Sequence, residues 1–277
     1  MGKLIAIDGL DGSGKTTQAQ RLYETLCAKN IPTRLISFPD YGSPGAVPAE
    51  FYLNGGLGND PNATNPYAAS TFFAVDRYVS YHTKWKDFLL RPDTVVIANR
   101  YTTANAVHQL SKMNDADEAQ KRAFLDWLFS FEYELLQLPR PDLVLYLELP
   151  PDIAHTWIDR RTAQTGQAQD IHETDAHHLE RSYQAALFAA NYLGWKRICC
   201  YTEQHAACSV EQIAQKVWDE TARALHLPSV RRRILTRECT ETQKCRKKTK
   251  KDASRRPFSY KMEDWMKRSY CLLQVLR

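Results

Sequence analysis

Gly9-Leu10-Asp11-Gly12-Ser13-Gly14-Lys15-Thr16 fits the pattern G-x-x-x-x-G-K-[ST] at every fixed position. The residues before it, Lys3-Leu4-Ile5-Ala6-Ile7-Asp8, read as a short buried strand. From Lys15 to about Lys29 the chain reads as a helix, with Leu22, Tyr23 and Leu26 at helical spacing. Strand, glycine loop and helix in that order make a phosphate-binding loop. The glycines let backbone N–H groups turn toward phosphate oxygens, and the helix N-terminus adds a fixed partial positive charge. The expected ATP contacts are Gly9, Gly12, Ser13, Gly14, Lys15, Thr16 and Thr17. Lys15 reaches the β- and γ-phosphates, and Thr16 gives its hydroxyl to Mg²⁺. The loop alone says nothing of the acceptor.

Working outward, Thr33 to Phe38 reads as a second strand, and Pro39 to Pro48, with Gly42, Pro44 and Gly45, as a loop. Asn54 to Pro66 is another irregular stretch, and a long helix is expected from Tyr67 to Leu89. Thr94-Val95-Val96-Ile97-Ala98 is a β-branched strand. Residues 103–112 and 117–137 look helical. Leu143 to Leu147 is a fourth strand, and Pro150-Pro151-Asp152 opens a helix that Gly166 interrupts. A helix over 175–192, a strand over 197–201 and a helix over 209–225 complete the pattern. Apolar strands alternating with helices predict an α/β, three-layer fold with a five-stranded parallel sheet between helices.

The chain carries 277 residues and a formal charge of +5, but the charge is divided. Residues 228–277 hold 16 Lys and Arg against 5 Asp and Glu, whereas residues 1–227 hold 21 against 27. An acidic domain, 1–227, is therefore expected to carry a basic extension, 228–277. The extension reads as solvated chain, and a nucleic-acid contact is the less favoured alternative. The 7 cysteines form no C-x-x-C pair, which points to free thiols and no structural metal. Cys199 and Cys200 read as small buried hydrophobes. No run approaches the roughly eighteen apolar residues that would span a bilayer, and a cytoplasmic location is expected.

Three segments point to the acceptor. Phe73 and Arg77 lie one turn apart on the long helix, so both face one way. An aromatic can stack on a base there while the arginine bonds its edge. Asn99-Arg100-Tyr101 follows a strand at the carboxyl edge of the sheet, where open α/β sheets bind ligands. Arg160-Arg161 begins a polar stretch that ends at Asp170-Ile171-His172-Glu173. His172 and the His177-His178 pair read as a polar helix face rather than a metal site.

With the phosphate loop containing Asp11, Phe38-Pro39, Phe73-x-x-x-Arg77, and Arg100-Tyr101 followed by Asn105, residues 3–225 resemble the thymidylate kinase family. The resemblance implies transfer of a phosphoryl group from ATP-Mg²⁺ to dTMP by a homodimer. Phe73 would stack on thymine and Arg77 would bond it. Arg100 would bind the acceptor phosphate, and Asp11 would lie between the sugar and the transferring phosphate, near Mg²⁺ with Thr16. Phe38, Pro39, Tyr41, Asn105, His108 and Glu173 would line the acceptor site, and Arg160 and Arg161 would lie in a lid over ATP. Lys15, Arg100, Arg160, Arg161 and Asp11 are the expected catalytic set.

Two departures stand out. The family's Asp-Arg-Tyr is Asn99-Arg100-Tyr101 here, which removes a carboxylate from a position that can hold Mg²⁺ or its water. His108 stands where relatives can have a tyrosine. An acceptor monophosphate needs no general base, because it is already mostly a dianion at neutral pH. A deoxynucleoside kinase would need a carboxylate base. A nucleotide-binding protein without catalysis is the other alternative.

Overall fold

The computed structural model describes residues 1–58, 60–165 and 177–227, with Pro61 and residues 159–165 by backbone alone. Strands β1 (Lys3–Gly9), β2 (Thr33–Ser37), β3 (Val95–Asn99), β4 (Leu143–Glu148) and β5 (Lys196–Cys199) form one sheet in the order β2-β3-β1-β4-β5. Every pairing is parallel, with Ile5 opposite Ile97 on one side and Leu143 on the other.

Helices cover both faces, as buried apolar strands require. They are α1 (Lys15–Ala28), α2 (Val47–Leu53), α3 (Pro66–Ser80), α4 (Lys86–Leu89), α5 (Thr102–His108), α6 (Glu118–Phe129), α7 (Pro151–Thr165), α8 (His178–Leu193) and α9 (Val210–Ala224). Strand alternation sorts the core into two layers. Ile5, Ile7, Val95 and Ile97 pack with Leu22, Leu26, Ile213 and Val217. Leu4, Ala6, Val96 and Ala98 point the other way, into Tyr81, Trp85, Leu89 and Tyr101. This three-layer arrangement brings the ends of β1, β2 and β3 to one edge.

Several boundaries differ from the sequence reading. Pro39 to Pro48 runs into α2, which the turn residues around it concealed. The helix expected over 67–89 starts at Pro66, where the Asn65 side chain accepts from Tyr67 N at 2.8 Å. It passes through a π-helical turn at Tyr81–Trp85 before α4. The helix expected over 117–137 starts with a capping box between Asp117 and Gln120. It also ends in a π-helical segment, Ser130–Leu135, which rotates Glu132 inward. Residues 103–112 divide into α5 and a 3-10 turn at Leu110–Lys112.

The last strand stops at Cys199. There alternation turns Ile198 inward and Cys199 outward, so Cys199 is exposed while Cys200 is buried. His178 is buried rather than part of a polar surface, because α8 packs on α5. The Gly166 break, Asp170, His172, Glu173 and the basic segment 228–277 lie outside the described residues.

Candidate active site

The glycine loop joins β1 to α1, and its backbone explains its glycines. Gly12 and Gly14 have φ of 79° and 84°, which side-chain-bearing residues rarely adopt. A Cβ on Gly12 would also come within 2.7 Å of the Ala154 carbonyl in α7. Lys15 folds back over the loop, donating to the Leu10 carbonyl at 2.7 Å and to Asp11 Oδ1 at 3.3 Å. Burial and the Arg100 charge pull the Lys15 amine down to about 8, against the opposing pull of Asp11 and Asp8. An arriving polyphosphate adds negative charge there and favours the protonated form. Thr16 and Thr17 stand exposed at the start of α1, while Ser13 is buried with an unpartnered hydroxyl.

Arg100 leaves the end of β3 with φ of 65°, a costly conformation for a residue with a side chain. Its backbone N–H donates to the Ile7 carbonyl at 3.0 Å, which ties it to the strand that carries the glycine loop. Its guanidinium forms an ion pair with Asp11 and meets His108 Nε2 at 2.8 Å. Burial alone would raise the Asp11 carboxyl, but Arg100 and Lys15 outweigh it and hold Asp11 well below the usual carboxylate range. Asp8 goes the other way. Burial raises it despite Arg100 and Lys15, and its oxygens accept from Gly9 N at 2.9 Å and Thr103 Oγ1 at 2.6 Å.

On the far side of Arg100 a cleft opens, lined by Phe38, Pro39, Tyr41, Phe73, Arg77, Asn105 and His108 together with Asp11 and Arg100. Both Phe72 and Phe73 pack on Tyr52, with ring centroids 6.1 Å away, but Phe73 alone of the two lines the cleft. Tyr41 lines it from an exposed loop. The Phe38-Pro39 bond is cis.

Arg77 is 1% exposed, so it is no surface ion pair. Glu132 grips it with two bonds, 2.7 Å to Nε and 2.5 Å to Nη2. Thr102 Oγ1 donates to the same carboxylate at 2.7 Å, and Asn105 Nδ2 approaches it at 3.4 Å. Glu132 thus fixes the two side chains that would meet a base. Sequence reading missed it because a glutamate in a long polar helix looks like a solvated charge. The one available signal was a buried arginine in need of a carboxylate.

Asn99 Nδ2 donates to Thr16 Oγ1 at 3.2 Å and to Ser37 Oγ at 3.0 Å, while its Oδ1 is buried and unpartnered. Uncharged oxygens beside the phosphate loop fit a Mg²⁺ held chiefly by phosphate oxygens and water. No cluster of three His, Cys, Asp or Glu among the described residues could cage a metal. The Asp11 carboxylate is already engaged by Arg100 and Lys15. Arg160 and Arg161 lie on the backbone of α7, which passes against Gly12 at Ala154. Glu173 lies outside the described residues.

A family model described as Thymidylate kinase matches residues 7–213. A thymidylate kinase of Mycobacterium tuberculosis is 33% identical over 181 residues, covering 65% of this chain and 81% of that protein. One from Xanthomonas euvesicatoria pv. vesicatoria is 32% identical over 198 residues, covering 71% and 75%. The solved thymidylate kinase of Candida albicans superposes with a TM-score of 0.57 at 24% identity, over 80% of this chain and 93% of that one, a likeness of fold.

Proposed function

The chain belongs to the thymidylate kinase family, and on that premise we propose that it transfers the γ-phosphoryl group of ATP to dTMP, giving dTDP. The observation that carries the reading is Arg100. It stands between the phosphate loop and a cleft whose floor is Phe73, Arg77 and Asn105. Phe73 offers a stacking face for thymine, and Arg77 and Asn105 offer polar edges already fixed by Glu132.

The acceptor phosphate is a dianion at neutral pH, so no base is needed. The task is to hold two polyanions in line and to stabilise charge as the phosphoryl group moves. Lys15 and Arg100 supply positive charge for that, and Arg160 and Arg161 add more from a lid that excludes water. The Thr16 hydroxyl, with Asp11 and Asn99 beside it, would hold a Mg²⁺ brought in with ATP, which would offset negative charge on the phosphates. A hydroxyl acceptor fits less well. Asp8 is buried and bonded to Thr103, Asp11 is paired with cations, and Asn99 is no base.

The acidic domain holds every group named here, so residues 228–277 are dispensable for chemistry. A chain ended after Leu227 should keep turnover within about 3-fold of the full chain, and loss of activity on truncation would make the extension part of the enzyme. Val47 and Phe51 on α2 and Val75 and Tyr78 on α3 are exposed on two packed helices, which suits a homodimer. No helix among the described residues is long and apolar enough to cross a membrane, and we take the enzyme to be cytoplasmic.

The test is ADP release with dTMP by the wild type and by Asn99→Asp. The wild type should turn over, and the aspartate should change kcat by no more than about 5-fold while tightening the Mg²⁺ dependence. A wild type that binds ATP but is silent with every monophosphate, beside a brisk Asn99→Asp, would mark a nucleotide-binding relative without catalysis.

A further inference from the structure

We propose that His108 and His178 form a positioning pair that holds Arg100 in the orientation that receives the acceptor phosphate, without neutralising its charge. The inference rests on the acceptor reading above and deepens it. Both imidazoles are buried, His108 at 7% and His178 at 3% exposure, and they bridge α5 to α8. Their rings lie near-parallel, 16° apart, with centroids at 5.4 Å.

The charge on Arg100 fixes the role of each nitrogen. A guanidinium has only donors and stays protonated, so His108 Nε2, 2.8 Å from Arg100 Nη1, must accept. His108 is therefore neutral with its proton on Nδ1. That N–H points to His178 Nε2 at 3.1 Å, which must accept in turn. Ser182 Oγ stands 3.1 Å from the same His178 nitrogen, one turn along α8. The tautomer of one imidazole is set by the bond its other nitrogen makes. Without His178, His108 could place its proton on Nε2 and turn an N–H against the guanidinium.

The chemistry explains a histidine at this position. Among the described residues, Asp11 and His108 both hold Arg100. The Asp11 carboxylate cancels positive charge, and a second carboxylate would leave Arg100 little attraction for a dianion. A neutral acceptor orients the guanidinium and leaves its charge for the incoming phosphate. His108 is thus a positioning residue that acts through Arg100.

The test is steady-state kinetics on His108→Phe, His108→Gln and His178→Phe, with KM for dTMP and for ATP measured separately. His108→Phe should raise KM for dTMP about 10–30-fold and leave KM for ATP within about 2-fold. His108→Gln has an amide oxygen to accept from Arg100 and an amide N–H to give His178, so it should return to within about 3-fold of wild type. His178→Phe should fall between them. In an Arg100→Lys background, His108→Phe should add less than about 2-fold, since its target is gone. Should His108→Phe fail to fold, His108→Ala takes its place with the same expectations. Equal rises in both KM values, a glutamine as damaging as phenylalanine, or a full additional loss in the Arg100→Lys background would overturn the proposal. A wild type that releases no ADP with dTMP would sink the kinase reading and this inference with it. A working wild type whose variants show no split in KM would sink the inference alone.

Discussion

Lys15→Ala is expected to lower kcat for dTMP phosphorylation by about 10²–10³-fold, the range seen when one preorganised donor to a developing oxyanion is lost. Lys15 is 7% exposed, and its amine lies folded over the glycine loop, 2.7 Å from the Leu10 carbonyl. It need only swing outward to meet the β- and γ-phosphates. Alanine leaves the backbone cradle and helix N-terminus intact, so ATP should still bind, and the loss should fall mainly on kcat. The same substitution removes a positive charge beside Asp11, yet Arg100 still holds that carboxylate. Stability should therefore change little. Coupled ADP release with saturating dTMP measures the effect. Turnover above about a hundredth of wild type would remove Lys15 from the transfer step.

Glu132→Leu should have the other large effect, on stability and acceptor binding together. Glu132 and Arg77 have side chains 0% and 1% exposed, so removing the carboxylate leaves a guanidinium charged and buried with its main partner gone. Breaking a buried pair in this way costs about 3–5 kcal/mol. Thr102 and Asn105 lose a partner at the same time, which loosens the cleft floor. Urea unfolding should show the destabilisation, and KM for dTMP should rise at least about 10-fold over that for ATP. Adding Arg77→Met should recover most of the stability, since a well-packed apolar pair can replace a buried ion pair. It should not recover dTMP binding. A double variant that regains both would mean that neither side chain recognises the acceptor.

The sheet was legible in the sequence because its strands are continuous apolar runs broken by glycine and proline. The runs at Leu4–Ile7, Val95–Ala98 and Leu143–Leu147 became β1, β3 and β4 with small shifts at their ends. The edge strand β5 was less legible, since only Ile198 of Lys196–Cys199 is buried and its alternation is short. Local motifs brought most of the cleft together. The glycine loop is contiguous, and Phe73 and Arg77 are one turn apart.

Partners distant in the chain left no such trace. Glu132 lies 55 residues from Arg77, and a π-helical turn shifts its face from the one a regular helix would give. His178 lies 70 residues from His108, and its pairing depends on how α8 docks on α5. Periodicity reports which face of an element is apolar, not which polar groups meet across the core.

The central claim is that the cleft behind Arg100 receives a monophosphate whose own phosphate is the nucleophile. It is tested most directly by giving the wild-type protein ATP labelled at the γ-phosphate, with dTMP, thymidine and dGMP in separate reactions and a fourth reaction without acceptor. The label should appear in dTDP, with little in dGDP, none on thymidine, and only a slow background as free phosphate. Label entering thymidine, or free phosphate forming equally fast with and without dTMP, would contradict the account.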